Sequence, residues 1–199
     1  GSGEIGGKTG AVVLDGFKAG GLALVSVTLA TGAGHGLVVE NGATLFEFTT
    51  GTLGDLADAP ILIVPDEVAK LDDASSFLST NADNRVEIDR FGSVTSNAEW
   101  PDPGVPYFVT DELDVAAELT IRPGTRFEFG ASVRMEIDPG GALIADASSG
   151  EPIVFTGDEE TPGYWRGIQI ESSNTSSVMD HVEVSYAGEQ DGFSGSEEG

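Results

Sequence analysis

The 199-residue chain has no cysteine, which excludes disulfides, thiolate nucleophiles and cysteine-ligated zinc in one step. Basic residues are scarce: nine Lys and Arg stand against 34 Asp and Glu, a formal net charge of −25. Binding to nucleic acid by phosphate neutralisation needs clustered Lys and Arg. The nearest approach is the scattered set Arg122, Arg126 and Arg134, so no nucleic-acid partner is expected. Long apolar runs are missing too. The stretch 59–64 falls far short of the roughly 18–20 apolar residues that cross a bilayer, and no membrane span is expected. With two histidines and no Gly-x-Ser-x-Gly elbow, neither a Ser-His-Asp triad nor a His-based metal site finds support.

The surplus of acid suits a secreted or high-salt setting, where a dense anionic surface stays hydrated and repels its neighbours. Screening contracts the Debye length from about 10 Å at 0.1 M salt to about 3 Å at 1 M. The melting temperature is therefore expected to rise over that range, and a flat or falling curve would count against this account. Gly1-Ser2-Gly3 reads as an expression-tag remnant, leaving 4–199 as a single domain, a piece of a longer repeat array or a protomer that stacks.

What is abundant is glycine, 28 residues spread along the whole chain, marking many tight corners. A module is also written twice. Gly42-Ala43-Thr44-Leu45 leads through an acidic loop to Pro60-Ile61-Leu62-Ile63-Val64, and Gly141-Ala142-Leu143-Ile144 leads to Pro152-Ile153-Val154-Phe155. The glycines lie 99 residues apart and the prolines 92, so the copies differ by a seven-residue change in loop length. Repeats that tolerate such changes between strands mark a stacked, coiled scaffold.

Short alternating or β-branched runs predict strands at 11–14, 23–29, 36–40, 45–48, 61–64, 85–89, 107–109, 118–121, 126–129, 133–137, 142–145, 153–156, 164–170 and 177–185. Their alternation points Leu119, Ile121, Phe127, Phe129, Val133, Met135, Ile137, Val182 and Val184 inward. Only 65–71, opening on Pro65 with Asp66 and Glu67 behind it, predicts a short helical turn.

The stretch Val105-Pro106-Tyr107-Phe108-Val109, then Leu119-Thr120-Ile121-Arg122-Pro123-Gly124-Thr125, Pro152-Ile153-Val154-Phe155-Thr156-Gly157, Gly163-Tyr164-Trp165-Arg166-Gly167-Ile168 and Met179 to Gly188 resembles the right-handed parallel β-helix repeats of bacterial and archaeal secreted or cell-surface proteins. The resemblance is carried by a "tIxPGT" turn, a "PIxFT" strand, a "W-x-GI" strand and a "y-A-G" corner. It implies an all-β, pectin-lyase-like solenoid, an extracellular or cell-surface location and a non-catalytic role as stalk, adhesin-like or assembly element. The order of the rungs leads to the expectation that both ends are open and that copies stack head to tail or against neighbouring repeats.

Because the same fold includes pectin-degrading enzymes, a carbohydrate-binding or carbohydrate-active β-helix is the alternative. Gly34-His35-Gly36, Asp72-Asp73 and Asn81-Ala82-Asp83 echo motifs of polygalacturonase-like hydrolases, but the order is wrong and the basic motif is missing, so chance explains them better. Trp100 and Tyr107 are the candidates for stacking on a glycan, with core packing the competing role. No cofactor is expected; Ca²⁺ is the one ion the acidic loops suggest, through Asp158, Glu159, Glu160, Glu189 and Asp191, with Asp55 and Asp58 as further hard oxygens. Solvated loops are the simpler account of them, and Asn174-Thr175-Ser176 is a glycosylation sequon.

Overall fold

The computed structural model describes residues 3–5, 8–16, 20–89 and 92–189. It is a parallel β-solenoid. Each coil contributes one strand to a main sheet, in the order β1 (Gly3–Ile5), β2 (Lys8–Leu14), β5 (His35–Val39), β8 (Ile61–Ile63), β10 (Val86–Ile88), β12 (Tyr107–Val109), β15 (Arg126–Phe129), β18 (Ile153–Gly157) and β21 (Val182–Val184). All neighbours pair in parallel except β1, which runs antiparallel to β2.

The side walls change at mid-chain. In the first half they are β3 (Gly21–Val25) with β6 (Thr44–Thr49), and β4 (Thr28–Gly32) with β7 (Thr52–Leu56) and β9 (Ser76–Phe77). In the second half they are β13 (Leu113–Val115), β16 (Arg134–Ile137) and β19 (Gly167–Ile170), and β11 (Ala98–Trp100), β14 (Glu118–Ile121), β17 (Ala142–Asp146) and β20 (Val178–Asp180). A 3-10 helix, Pro65–Lys70, joins the two halves by lying between β6 and β11. Its first-turn acids are hydrogen-bond acceptors for both neighbours. Glu67 takes the Leu45 N–H at 2.9 Å, and Asp66 takes the Thr95 N–H at 2.7 Å and hydroxyl at 2.6 Å.

The helix thus continues the β3-β6 column into β11-β14-β17-β20. The strand that follows this column in the early coils (β4, β7, β9) gives way to one that precedes it in the later coils (β13, β16, β19). This places both copies of the sequence module in equivalent positions: Leu45 and Leu143 in one column, and Pro60 and Pro152 just ahead of main-sheet strands. The seven-residue difference is structural, because the first copy inserts strand β7 where the second has only a turn.

The core is mainly aliphatic early, with Phe48 the one fully buried ring among the described residues there, and aromatic late. Leu37, Val39, Leu45, Leu53, Ile61 and Ile63 are buried in the early coils. Beyond them Tyr107, Phe127 and Phe155 stand in register on successive main-sheet strands, with ring centroids 5.3 and 5.1 Å apart. Phe129 lies flat on Trp165, 4.2 Å between centroids and 4° from parallel. Such stacks add about 0.5–1.5 kcal/mol each beyond area burial.

Trp165 Nε1–H donates to the Ser185 carbonyl at 2.7 Å, whereas the buried Trp100 Nε1–H has no acceptor. Replacing Trp165 by Phe removes a hydrogen bond and leaves a carbonyl short of a donor; the same change at Trp100 removes none. Trp165→Phe is expected to cost about 1 kcal/mol more than Trp100→Phe, read as the difference in urea midpoint multiplied by the slope.

Two expected strands are broken by single residues with left-handed backbone. Ser26 (φ 54°) divides 23–29 into β3 and β4, and His181 (φ 53°) divides 177–185 into β20 and β21. Corner bonds hold Ser26: its N–H donates to Thr49 at 2.9 Å, and its hydroxyl meets that of Thr50 (φ 52°) at 2.8 Å. The last expected strand of the Trp165 region starts only at Gly167, because 164–166 turn the corner.

Candidate functional site

Trp100 and Tyr107, expected to offer faces to a glycan, are fully buried. Trp100 sits on β11 against Tyr107 and Phe127, and the Tyr107 hydroxyl donates to the Pro101 carbonyl at 2.9 Å. Burial, with the Asp102 charge adding to it against Arg122, pushes that phenol well above its ordinary pKa. The physical reason is size: in a coil this wide, the largest side chains fill the axis. The most exposed large aromatic among those described is Phe46, which the sequence does not single out; it is the extra residue of a bulge between β3 and β6 and lies over Gly21.

The acids expected around Ca²⁺ do not converge. Asp158 accepts from Arg85 Nη1 at 2.5 Å. Glu189 accepts from the Ser132 hydroxyl at 2.7 Å and faces Arg166 Nε at 3.4 Å. Glu159 and Glu160 are exposed on the loop, and Asp191 lies outside the described residues. Two of these carboxylates already hold cation or hydroxyl partners, so the set does not fit a Ca²⁺ cage of six to eight oxygens.

The polygalacturonase-like echoes are structural as well. Buried His35 donates from Nδ1 to the Ala59 carbonyl at 2.7 Å. Asp72 accepts from the Thr50 N–H and from Ser75, Asp73 pairs with Arg122, and Asp83 pairs with Arg85. Asn81 is buried and bonds Leu53, Leu56 and Asn84. His181 is exposed at its corner, Nδ1 donating to the Ala147 carbonyl at 3.0 Å.

Two arginines organise the outer face. Arg85 lies 3.8 Å above the Phe108 ring and reaches Asp83, Glu128 and Asp158, tying four successive coils of the main sheet together. Arg134, on β16, donates to Glu112 and Gln169 and pairs with Glu136. Glu112, Asp114 and Glu136 bring carboxylate oxygens within 4.8 Å of one another, the one such group among the described residues. Glu136 is raised by burial and by sharing a hydrogen bond with Glu112, against Arg134; Asp114 is raised by burial and then by Glu112. This is the candidate chemical site, and it is built around an arginine.

Half-buried Glu87 on β10 is likewise raised, by burial first, with His35 opposing and Asp58, Asp83 and Asp89 adding. A carboxyl whose pKa rises on folding binds its proton more tightly in the fold. Its contribution is therefore greatest below the ordinary 4.5 and is lost as pH climbs through the raised value. Glu87→Gln, a fixed neutral mimic, is expected to melt higher than the parent at neutral pH, with the two curves converging on acidification below that value. A constant gap between the melting curves across that range would contradict the assignment.

The remaining feature is geometric: the two ends of the solenoid differ. In the first coil Leu14, Leu24 and Leu29 are each 9% exposed, whereas Leu22, in register with the buried Leu45, is 36% exposed; β1 pairs with the outer edge of β2. In the last coil Ile170 is 48%, Met179 43% and Val184 48% exposed. Their partners one coil back, Ile137, Ala145 and Phe155, are completely buried. Among the described residues, inward apolar side chains are exposed at both ends, more of them in the last coil.

Among the described residues no helix is long and apolar enough to cross a membrane. Comparison of the chain with protein-family models, curated proteins and solved structures gives no match. The parallel solenoid is thus carried by the strand pairing itself.

Proposed function

We propose that this chain is a non-catalytic β-helix scaffold of the secreted or cell-surface type, a stalk, adhesin-like or assembly element. The observation that carries the reading is how the chemistry-bearing side chains are engaged. The acids echoing a hydrolase serve corner bonds and ion pairs, the large aromatics expected to meet sugar fill the axis, and the convergent carboxylates enclose Arg134. An extracellular location accords with the acidic composition.

One observation favours the carbohydrate reading: two carboxyls of the Glu112, Asp114 and Glu136 group have raised pKa values, as the acid of a glycosidase pair requires. A screen of acidic and neutral polysaccharides, read by reducing-end release and by binding, separates the two. The scaffold reading expects neither signal. Reducing ends released by the parent and lost in Glu136→Gln would overturn it and locate the catalyst.

A further inference from the structure

We propose that the solenoid parts first between the coil of β8 and the coil of β10, at a built-in seam that divides it into two separately unfolding segments clasped by Asp66.

Each coil of a solenoid rests mainly on its neighbours, so the weakest contact between coils sets where cooperative unfolding divides. Three parallel ladders join β2, β3 and β4 to β5, β6 and β7, and three join β12, β13 and β14 to β15, β16 and β17. The contacts on either side of the seam keep two each, β5-β8 with β7-β9 and β10-β12 with β11-β14. At the seam one ladder remains among the described residues, Ile61–Ile63 on Val86–Ile88. The β4-β7-β9 wall has ended, the β13-β16-β19 wall has not begun, and in the third column the 3-10 helix offers β11 no ladder. Only the last described coil, on β21, is held as lightly.

Acids weigh on that ladder. Half-buried Glu87 at its centre feels Asp58 from the coil before and Asp83 and Asp89 from its own, opposed by His35. What holds the helix to the next coil is Asp66, which accepts from both the N–H and the hydroxyl of Thr95. Glu67 bonds the other way, accepting from Leu45 of the coil before. Two adjacent carboxylates therefore serve opposite sides, one across the seam and one within the first segment. The further pair Arg122 with Asp73 is exposed and adds little.

The apolar core runs through the seam without a break, which makes the opening a transient excursion rather than a resting state. The scaffold reading gives it a use: a stalk under load parts here first.

Native-state hydrogen exchange read by NMR tests this. The residue after a main-sheet strand donates its N–H to the coil before: Asp89 to Ile63, Gly130 to Val109 and Asp158 to Phe129, at 2.8, 2.9 and 2.9 Å. Of these equivalent bonds only the first crosses the seam, so the Asp89 amide should have the lowest protection factor of the three. Asp66→Ala should speed its exchange by about 10- to 100-fold, the worth of hydrogen bonds to a charged acceptor, and leave Gly130 and Asp158 unchanged; Glu67→Ala should leave all three unchanged. Both tryptophans, Trp100 and Trp165, lie beyond the seam. Their fluorescence reports the second segment while circular dichroism reports the whole chain, so the two urea curves of the parent should not coincide. Equal protection at the three amides overturns the proposal, as do coincident curves, or an Asp89 response to Glu67→Ala as large as that to Asp66→Ala; the first two are read on the parent alone. None of these results bears on polysaccharide cleavage, so the scaffold reading stands or falls separately.

Discussion

Phe127→Ala should lower the stability of this protein by about 3–5 kcal/mol, a large share of the roughly 5–15 kcal/mol that holds a typical domain folded. Phe127 is fully buried at the middle of the aromatic column. Its ring meets four others: Trp100 at 5.9 Å, Tyr107 at 5.3 Å, Phe155 at 5.1 Å and Phe129 at 6.3 Å between centroids. Truncation removes the transfer free energy of a phenyl group and leaves a void whose walls cannot collapse, because each neighbouring ring is fixed by its own β-ladder pairing. The same truncation at Phe46, on the surface, should cost well under half as much. Urea unfolding read by tryptophan fluorescence checks both, and equal losses at the two positions would contradict the stacked-column account.

The second large effect is expected at a residue with no side chain. A Cβ added to Gly141 would sit 2.2 Å from the Val115 carbonyl oxygen and 3.2 Å from its carbon. Both atoms are backbone in the coil below, so relief requires two coils to part. Gly141→Ala should cost at least the 1–3 kcal/mol, roughly, of an overpacked core. Its neighbour Gly140 supplies the control. Gly140 has φ +98° with open space where a Cβ would go, so Gly140→Ala should carry only the backbone penalty of about 1–2 kcal/mol. Thermal melts of the two variants should therefore rank Gly141→Ala below Gly140→Ala, and the reverse order would place the constraint in the dihedral rather than the contact.

These two glycines show what kind of information was legible beforehand. The Gly-Ala module was visible as a repeat, and its copies do occupy one column, yet the glycines within it act differently. Gly42 adopts φ +83°, whereas Gly141 yields room to Val115, and a sequence does not distinguish dihedral need from steric need. Alternation placed Leu119, Ile121, Phe127 and Phe129 correctly on the inner face because period two is local. It passes over β9, β11 and β13, each two or three residues long, since so short a strand shows hardly one full alternation, and also over the five-residue β7, where Gly54 and Asp55 interrupt the apolar pattern. The breaks at Ser26 and His181 were equally hidden, because what stabilises a left-handed serine is a carbonyl one coil away.

The same locality explains the site residues. Trp100-Pro101 looked like a loop with an aromatic tip because nothing nearby in sequence announces that Tyr107 and Phe127 close over it. Carboxylates on different loops looked free to converge on an ion because their arginines, Arg85 and Arg166, come from distant turns. The Glu112, Asp114 and Glu136 group is hidden for the converse reason: Glu112 and Asp114 share one rung and Glu136 lies on the next, and only the register of Asp114 with Glu136 brings them together.

The crossover at the Pro65–Lys70 helix bears on how such a molecule can change length. Gaining or losing one whole turn on either flank of this joint leaves like resting on like. An exchange that straddles it would seat a three-sided cross-section upon one whose third side lies on the opposite shoulder. Lineages of this architecture should therefore vary in turn number within each flank while inheriting the joint as an indivisible unit.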